Sequence, residues 1–361
     1  MKTLLQLIHS ETIACGGVLP FSRFMELALY CPKLGYYETK KDSIGRRGDF
    51  YTSASVGDLF GRLLAFQFAE WLEELKSKSS QLKIVEAAAH KGQLTKDILL
   101  WLQSSRPALF KELEYCIVEP SATRQEWQRE TLKNFYGKVR WLSGFDSERF
   151  DGIIFSNELL DAFPAHRLGW DAAQKKWFVW GVISDAGQFA WAKIQEPVVG
   201  LPAFILNLPA SLLEVLPDGF TIEINPAAEE WWRVAARSLN HGKLMTVDYG
   251  LTDDEMFLPS RKNGTLRAFF QHRFADDVLA NPGAQDLTAH VNFSTVQRAG
   301  EEAGLKTDSF STQSKFLTQI MEKTLKDKAF GEWTPARGRQ FQTLTHPEHL
   351  GRAFQVLVQS R

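Results

Sequence analysis

Short apolar runs alternate with amphipathic helical segments between residues 59 and 156, and this alternation restricts the fold more than any other feature of the chain. Four runs are predicted to form β-strands: Lys83–Ala87, Glu114–Glu119, Val139–Leu142 and Gly152–Ser156. Helical periodicity precedes the first strand and follows the first two, and the connections are short. Such a pattern is typical of a parallel sheet covered by helices on both faces. The sequence therefore predicts an α/β fold.

Other segments predict a division of the chain into three parts. These are an N-terminal helical region with a glycine-bearing loop (1–80), a core in two segments (81–166 and 219–361) and an insertion (167–218). The insertion interrupts the alternation with two aromatic, hairpin-like segments and a proline-rich stretch, so we expect a lid or subdomain. The core is predicted to resume with a strand at Thr221–Ile224.

Composition and charge limit the classes of function. The chain of 361 residues has a formal net charge of −1, so no global basic field favours nucleic acid or an anionic membrane. No apolar run approaches the roughly 20 residues that span a bilayer. The first residues have the periodicity of a folded helix and not the pattern of a signal or transit peptide. We therefore expect a bacterial-type cytoplasmic protein that neither binds nucleic acid nor inserts into a membrane.

An amide and two acids follow the fourth predicted strand directly, where the chain reads N-E-L-L-D-A-F-P from Asn157 to Pro164. Open α/β sheets bind their ligands at the carboxyl ends of the strands. Burying Glu158 and Asp161 is costly unless a cation or hydrogen-bond donors meet them. These residues are therefore candidates for a pocket that needs negative charge. The alternative is a helix N-terminus with Asn157 as its cap and the acids favoured by the helix dipole.

The ends of the earlier strands carry candidates for nucleotide recognition. After the first strand, E-A-A-A-H-K-G from Glu86 to Gly92 forms a turn at a helix N-terminus whose N–H groups a ligand can approach, although an ordinary βα turn fits equally. Glu119, ending the second strand, suits the two hydroxyls of a ribose or a helix cap near Ser121. Asp146, beyond the third strand, suits an adenine amino group or a simple turn.

Three further segments carry residues of the types that bind ligands or metals. The loop at 43–53 has glycines at 45 and 48 that flank two arginines, which suits a loop closing over a ligand or an exposed turn. The strand end Val247–Gly250 places another acid, Asp248, beside a phenol. Histidines and acids between residues 264 and 293 are unevenly spaced, so we predict no metal site.

Eight ordered motifs resemble those of the MidA-like methyltransferase family, which includes the mitochondrial complex I assembly factor that acts as a protein-arginine methyltransferase. The motifs are G-Y-Y at 35–37, G-D-F-Y-T-S at 48–53, L-F-G at 59–61, N-E-L-L-D-A-F-P at 157–164, V-D-Y-G at 247–250, G-T-L-R-A-F at 264–269, H-R at 272–273 and D-L-T-A-H-V-N-F at 286–293. Because they keep their order over most of the chain, the resemblance is specific.

The resemblance implies a Rossmann-like, S-adenosylmethionine-dependent methyltransferase fold with a helical N-terminal extension and an inserted lid or subdomain. It places the cofactor, S-adenosyl-L-methionine, against the following residues: Gly48, Asp49, Phe50, Glu86, Ala88, His90, Gly92, Glu119 and Asp146. Ala88 and His90 stand where the family's E-x-G-P-G-x-G loop has glycines. Alanine at a position that needs a positive φ costs about 1 kcal/mol.

The implied activity is methyl transfer to a protein arginine, with Asn157, Glu158 and Asp161 as the catalytic candidates. Carboxylates can hold a guanidinium bidentately, and an amide oxygen can orient it. Because Glu158 and Asp161 are three residues apart, a helical turn would project both to one side. Asp248 and Asp286 are second-rank neighbours.

Two other functions stay open on the sequence alone: a methyltransferase acting on another acceptor, and a catalytically silent assembly factor that binds a partner subunit. The expected partners are a protein substrate, with a subunit of a respiratory complex as one candidate, and a second copy of the chain in a homodimer.

Overall fold

The computed structural model of the chain describes residues 2–39, 52–76, 81–145, 149–185, 188–194, 200–270 and 273–361. Sixteen strands lie within these ranges: β1 (Leu19–Pro20), β2 (Leu82–Ala87), β3 (Glu114–Val118), β4 (Val139–Leu142), β5 (Phe150–Asn157), β6 (His166–Asp171), β7 (Lys176–Asp185), β8 (Gln188–Lys193), β9 (Thr221–Ile224), β10 (Leu239–Leu251), β11 (Arg267–Phe270), β12 (Arg273–Ala275), β13 (Asp286–Thr288), β14 (Val291–Asn292), β15 (Lys306–Thr312) and β16 (Phe354–Ser360).

The same described ranges contain fourteen α-helices: α1 (Leu4–Ala14), α2 (Phe21–Tyr30), α3 (Tyr36–Thr39), α4 (Leu59–Leu75), α5 (Gln93–Ser105), α6 (Pro107–Glu112), α7 (Ala122–Thr131), α8 (Ala203–Leu206), α9 (Ala210–Val215), α10 (Pro226–Arg237), α11 (Asp253–Met256), α12 (Phe293–Glu302), α13 (Gln313–Lys326) and α14 (Pro335–Thr345).

The chain forms two compact units. The first unit comprises Met1–Lys40, Asp161–Ala228 and Leu251–Thr295, and the second comprises Lys41–Leu160, Glu229–Gly250 and Val296–Arg361. One division therefore falls between Leu160 and Asp161, inside the N-E-L-L-D-A-F-P motif. The predicted division into an N-terminal region, a core and an insertion stays a prediction.

The second unit is built on a mostly parallel sheet. Its strands follow the order β15-β16-β10-β5-β2-β3-β4. The five strands from β10 to β4 are parallel, whereas β16 and β15 add to one edge in antiparallel fashion. The predicted α/β fold is thus confirmed. Because Val118, Ala87, Ser156 and Thr246 lie level across four neighbouring strands, the residues that follow them share one edge of the sheet.

Helix α4 covers this sheet with an almost continuous apolar surface. Phe60, Leu64 and Phe68 recur at intervals of four residues and are fully buried. The ring of Phe68 packs 4.9 Å from the ring of Phe155 on β5. Burying one such aromatic side chain stabilises the fold by about 1.5–3 kcal/mol.

A glycine lets β5 approach β2. Gly152 has φ +150°, and a Cβ built on it would lie 1.9 Å from the carbonyl oxygen of Lys83. No side chain fits at that distance from a backbone atom. Gly152 is therefore required where the parallel sheet begins its central strand pair.

The first unit contains two smaller sheets. One has the order β1-β7-β6-β9 with β8 paired to β7, and the other has the order β12-β11-β13. The aromatic segments of the predicted hairpin are the antiparallel pair β7 and β8. Strand β9 departs from the prediction that it resumes the parallel core, because it pairs antiparallel with β6. Its Ile222 is buried beside Leu168 of β6 in a separate apolar cluster of this unit.

Neither a membrane-spanning helix nor a metal-binding cluster occurs among the residues that the structure describes. Among those residues, no helix is both long and apolar enough to cross a bilayer. The same residues include no group of three or more histidine, cysteine, aspartate or glutamate side chains placed to hold a metal ion.

Candidate active site

The turn after β2 has a left-handed backbone at three alternate positions. The φ angles of Ala88, His90 and Gly92 are +64°, +44° and +83°. The turn thus keeps the conformation that glycines favour although two of the three residues carry side chains, at a cost of roughly 1–3 kcal/mol for each. Gly92 directly precedes α5, whose first N–H groups lack intrahelical partners. A polar ligand can approach the backbone here.

Glu86 lies on β2 just before this turn, and its carboxyl group lies in the core. Oε2 accepts hydrogen bonds from the hydroxyls of Thr95 at 2.6 Å and Tyr115 at 2.5 Å. Burial raises the pKa of Glu86 to about 7, and the two hydroxyl donors oppose that rise. Glu86 therefore links β2 to α5 and β3. Its predicted contact with the cofactor stays a prediction.

Stability is expected to depend on pH through Glu86. Folded Glu86 keeps its proton up to about pH 7, whereas the unfolded chain loses it near 4.5, so the folded state binds more protons between these values. Stability therefore falls as the pH rises through this window, by about 3 kcal/mol at 1.36 kcal/mol per pKa unit. Glu86→Gln, which keeps a carbonyl acceptor, should remove this fall when denaturant unfolding is measured from pH 4.5 to 8.

Asp97 supplies the control for that experiment. Burial also raises the pKa of Asp97, to about 6, so it contributes a fall in the same direction. Asp97→Asn should therefore flatten only the lower part of the pH profile. If the free energy of unfolding of Glu86→Gln changes with pH in parallel with that of the wild type, the pH dependence does not come from Glu86.

Glu119 follows β3 and is buried beneath α7. Oε1 accepts hydrogen bonds from the N–H of Ser121 and from Arg124, each at 2.9 Å, and Oε2 accepts one from Gln128 at 3.2 Å. Burial raises the pKa of Glu119, and the Arg124 guanidinium opposes the shift. Since each carboxylate oxygen can accept about two hydrogen bonds, Oε2 keeps capacity for a further donor. That capacity fits a ribose hydroxyl.

Asn157 ends β5 with an acceptor that no described residue satisfies. Its Nδ2 donates to Oε1 of Glu158 at 2.8 Å, whereas its Oδ1 is buried without a hydrogen-bond partner in the described part of the chain. Glu158 itself has φ +54°, a conformation that is strained for a residue other than glycine. Unsatisfied buried acceptors and strained backbone both concentrate at functional sites.

Asp248, at the end of β10, holds this strained turn. Its Oδ2 accepts the N–H groups of Leu159 at 3.1 Å and Leu160 at 2.7 Å, and its Oδ1 accepts the N–H of Tyr249. The N–H of Glu158 donates to the carbonyl of Val247 at 2.9 Å. The carboxylate of the fully buried Asp248 therefore fixes the backbone that presents Glu158.

This geometry corrects one local prediction. Residues 158–161 do not form a regular helical turn, because the left-handed φ of Glu158 interrupts it and a 3-10 helix spans only Leu160–Ala162. The helical turn on which the shared direction of Glu158 and Asp161 was predicted is therefore absent, and their roles in catalysis stay a prediction. Asn157 does not cap a helix either, since Asp248 accepts the N–H groups of that segment.

Asp161 lies in the first unit with Tyr37, Asp286 and Ala289, three residues from the sequence motifs. Its side chain is buried, and its carbonyl accepts the N–H of Ala289 at 2.9 Å. In the same unit, the hydroxyl of Tyr37 donates to Oδ1 of Asp286 at 2.7 Å. Burial raises the pKa of Tyr37 well above its usual value, and Asp286 and Asp161 add to the shift.

Four predicted cofactor residues lie outside the described residues: Gly48, Asp49, Phe50 and Asp146. Within the described part, sequence reasoning missed Arg124 and Gln128, which contact Glu119. The available signal was their spacing, because residues four apart on α7 share one face of the helix.

Comparison with known proteins gives the family. The model of the family described as "Putative S-adenosyl-L-methionine-dependent methyltransferase" matches residues 63–311. The crystal structure of a Burkholderia thailandensis protein bound to S-adenosyl-homocysteine is 32% identical, covers 99% of this chain and 92% of its own, and has a TM-score of 0.85. The zebrafish (Danio rerio) protein named "Protein arginine methyltransferase NDUFAF7, mitochondrial" is 27% identical over 98% of this chain and 86% of the relative.

The mouse (Mus musculus) protein of the same name is 29% identical over 95% of this chain and 81% of the relative. These names contradict the cytoplasmic location predicted from the sequence, because each names a mitochondrial protein. The predicted cytoplasmic location is therefore wrong. The absence of a recognisable transit pattern in the first residues was a weak basis for assigning a compartment.

Three observations fit the same cofactor. These are the left-handed turn after β2, the remaining acceptor capacity of Glu119 and the S-adenosyl-homocysteine bound in the Burkholderia thailandensis protein. The predicted family resemblance, enzyme class and cofactor are confirmed. The chain belongs to the S-adenosyl-L-methionine-dependent methyltransferase family, and S-adenosyl-L-methionine is its cofactor.

Proposed function

We propose that this methyltransferase methylates a guanidinium nitrogen of a protein arginine, with Asn157 and Glu158 binding the guanidinium. The observation that carries the proposal is the buried, unsatisfied Oδ1 of Asn157, as judged among the described residues, next to the carboxylate of Glu158. The names of the relatives, which specify a protein arginine methyltransferase, support the choice of acceptor.

The proposed roles follow from the chemistry of the two side chains. A guanidinium has five N–H donors and no acceptor, so it complements an amide oxygen and a carboxylate. Glu158 would accept charge-assisted hydrogen bonds and keep nucleophilic density on one nitrogen, while Asn157 Oδ1 would fix the plane of the group. The strained φ of Glu158 indicates that its position is determined by its surroundings.

The proposed cofactor site uses the turn after β2 and the end of β3. Ala88, His90 and Gly92 would offer backbone groups, and Oε2 of Glu119 would accept a ribose hydroxyl. When bound, S-adenosyl-L-methionine supplies a methyl group on a sulfonium. The protein then has to align the acceptor nitrogen with this methyl group and exclude water, which requires little acid–base machinery.

The test is to identify the methylated residue. Purified protein, S-adenosyl-L-methionine with a labelled methyl group and a panel of arginine-containing proteins should yield label in methylarginine after acid hydrolysis. Peptides in which lysine replaces arginine serve as matched acceptors, because lysine has a positive charge but lacks the planar fork. Label recovered only in another amino acid, or only in small molecules, would contradict the arginine proposal.

Three further parts of the proposal rest on the sequence resemblance. Asp161 is proposed to take part in catalysis, and methyl transfer by Asp161→Asn tests this role. A subunit of a respiratory complex is proposed as the protein acceptor. A homodimer is proposed as the oligomeric state.

A further inference from the structure

One fully buried amide lies between the two halves of the proposed cofactor site. Gln128, on α7, is inaccessible to solvent. Its Nε2 donates to the carbonyl of His90 at 3.0 Å and to Oε2 of Glu119 at 3.2 Å. Its Oε1 accepts the indole N–H of Trp141, on β4, at 2.8 Å. A single side chain therefore contacts the turn after β2, the acid after β3 and the strand β4.

The orientation of this amide follows from the chemistry of its neighbours. An indole N–H can only donate, so the amide oxygen of Gln128 has to face Trp141. The NH₂ group then faces two acceptors, the His90 carbonyl and the Glu119 carboxylate, and each of its hydrogens has one partner. If the amide were flipped, its NH₂ group would face the indole N–H of Trp141, and its oxygen would face the carboxylate of Glu119. Only the observed orientation therefore pairs every donor with an acceptor.

We propose that Gln128 is a positioning residue: it fixes the backbone of the turn after β2 relative to the carboxylate of Glu119. The inference rests on the proposed placement of S-adenosyl-L-methionine against this turn and Glu119. Gln128 does not need to touch the cofactor. It acts by holding the carbonyl of His90, within a turn whose left-handed residues require support, and by orienting Oε2 of Glu119.

A second buried glutamine provides a matched control. Gln359, on β16, is also inaccessible to solvent and accepts the indole N–H of Trp232 at 2.7 Å. Its Nε2 donates to the carbonyl of Gln297 and the hydroxyl of Thr307, each at 2.9 Å. Because the two amides have the same burial and the same number of partners, replacing either by leucine removes three hydrogen bonds from a buried site. Only Gln128 contacts the proposed cofactor site.

The experiment measures the Kd for S-adenosyl-homocysteine by calorimetry and the Tm of wild type, Gln128→Leu and Gln359→Leu. We expect both variants to lower the Tm to a similar extent. Gln128→Leu should raise the Kd by about tenfold or more, since it removes a hydrogen bond to a carboxylate, whereas Gln359→Leu should leave the Kd unchanged. Equal changes in Kd for the two variants, or an unchanged Kd for Gln128→Leu, would overturn the inference.

A milder variant keeps the test informative if Gln128→Leu does not fold. Trp141→Phe removes the indole N–H that orients the amide but keeps an aromatic ring on β4. We expect it to raise the Kd in the same direction, by about threefold, because one neutral hydrogen bond is lost. An unchanged Kd for this variant, measured on folded protein, would argue against Gln128 acting through its orientation.

Glu119→Gln separates this inference from the placement of the cofactor. If Glu119 binds the ribose, Glu119→Gln raises the Kd. In the double variant, Gln128→Leu should then raise the Kd further by a smaller factor than it does in the wild-type background, because both substitutions act through the same carboxylate. A weakened Glu119→Gln with an unaffected Gln128→Leu overturns only the role of Gln128. A Glu119→Gln variant that binds as well as wild type overturns the placement of the cofactor and the inference with it.

Discussion

Glu158→Gln is expected to lower methyl transfer to protein arginine by about a hundredfold or more and to leave the Kd for S-adenosyl-homocysteine unchanged. The substitution keeps the shape of the side chain but removes its charge and one of its acceptor oxygens. Two charge-assisted hydrogen bonds to a guanidinium, at about 1.5–3 kcal/mol each, account for a loss of this size. Initial rates of methylation and calorimetric titration on the same preparations measure both quantities.

Asp161→Asn, measured by the same two methods, tests whether Asp161 takes part in catalysis. If Asp161 only stabilises the segment that follows β5, its substitution lowers the free energy of unfolding by about 1 kcal/mol and transfer persists. If it takes part in catalysis, transfer falls and the cofactor Kd does not change. Unimpaired transfer by Glu158→Gln, together with a lower Tm, would show that Glu158 has a structural role only.

The sequence predicts the parallel core closely because its periodicity and its packing agree. Strands β2, β3, β4 and β5 lie within two residues of their predicted positions. Strand β9 shows the limit of sequence patterns, since a four-residue segment does not indicate which sheet it joins. The predicted N-terminal helical region likewise did not include β1, a two-residue strand that periodicity cannot reveal.

None of the strands predicted from the sequence falls within residues 304–352, yet this segment contains β15, α13 and α14. Helix α13 does carry a signal, because Phe316, Ile320 and Thr324 recur at four-residue intervals and are buried. Strand β15 is harder to predict, as its polar residues suit an edge strand with one exposed face.

The candidate site was predicted by residue type and position but not by contact. The acids at strand ends follow from the rule that ligands bind at the carboxyl edge of a parallel sheet. The sequence could not reveal that Glu86 is engaged by Tyr115, a residue 29 positions away on β3. It could not reveal the capping of Leu159 and Leu160 by Asp248 either, since those partners are almost 90 residues apart. Contacts of this kind depend on which strands become neighbours.

Asp248→Asn is expected to disrupt the turn that presents Glu158. The carboxylate accepts two backbone N–H groups through Oδ2 and one through Oδ1, and an asparagine has only one oxygen. At least one buried N–H then faces an NH₂ group and loses its acceptor, which costs about 1–3 kcal/mol. The left-handed φ of Glu158 loses part of its support at the same time. We expect a lower Tm and a loss of methyl transfer larger than the loss of folded protein explains.

Glu223→Gln is the matched control for this expectation. Glu223 is also a buried carboxylate, and its Oε2 accepts the backbone N–H of Thr265 at 2.6 Å and its hydroxyl at 2.8 Å. Its substitution should lower the Tm comparably, whereas transfer per folded molecule should persist because it does not hold the Glu158 turn. Both variants are compared at a temperature where each is folded, with circular dichroism as the check. If Asp248→Asn retains full transfer despite a reduced Tm, the turn does not need Asp248 to present Glu158, and the carboxylate serves stability alone.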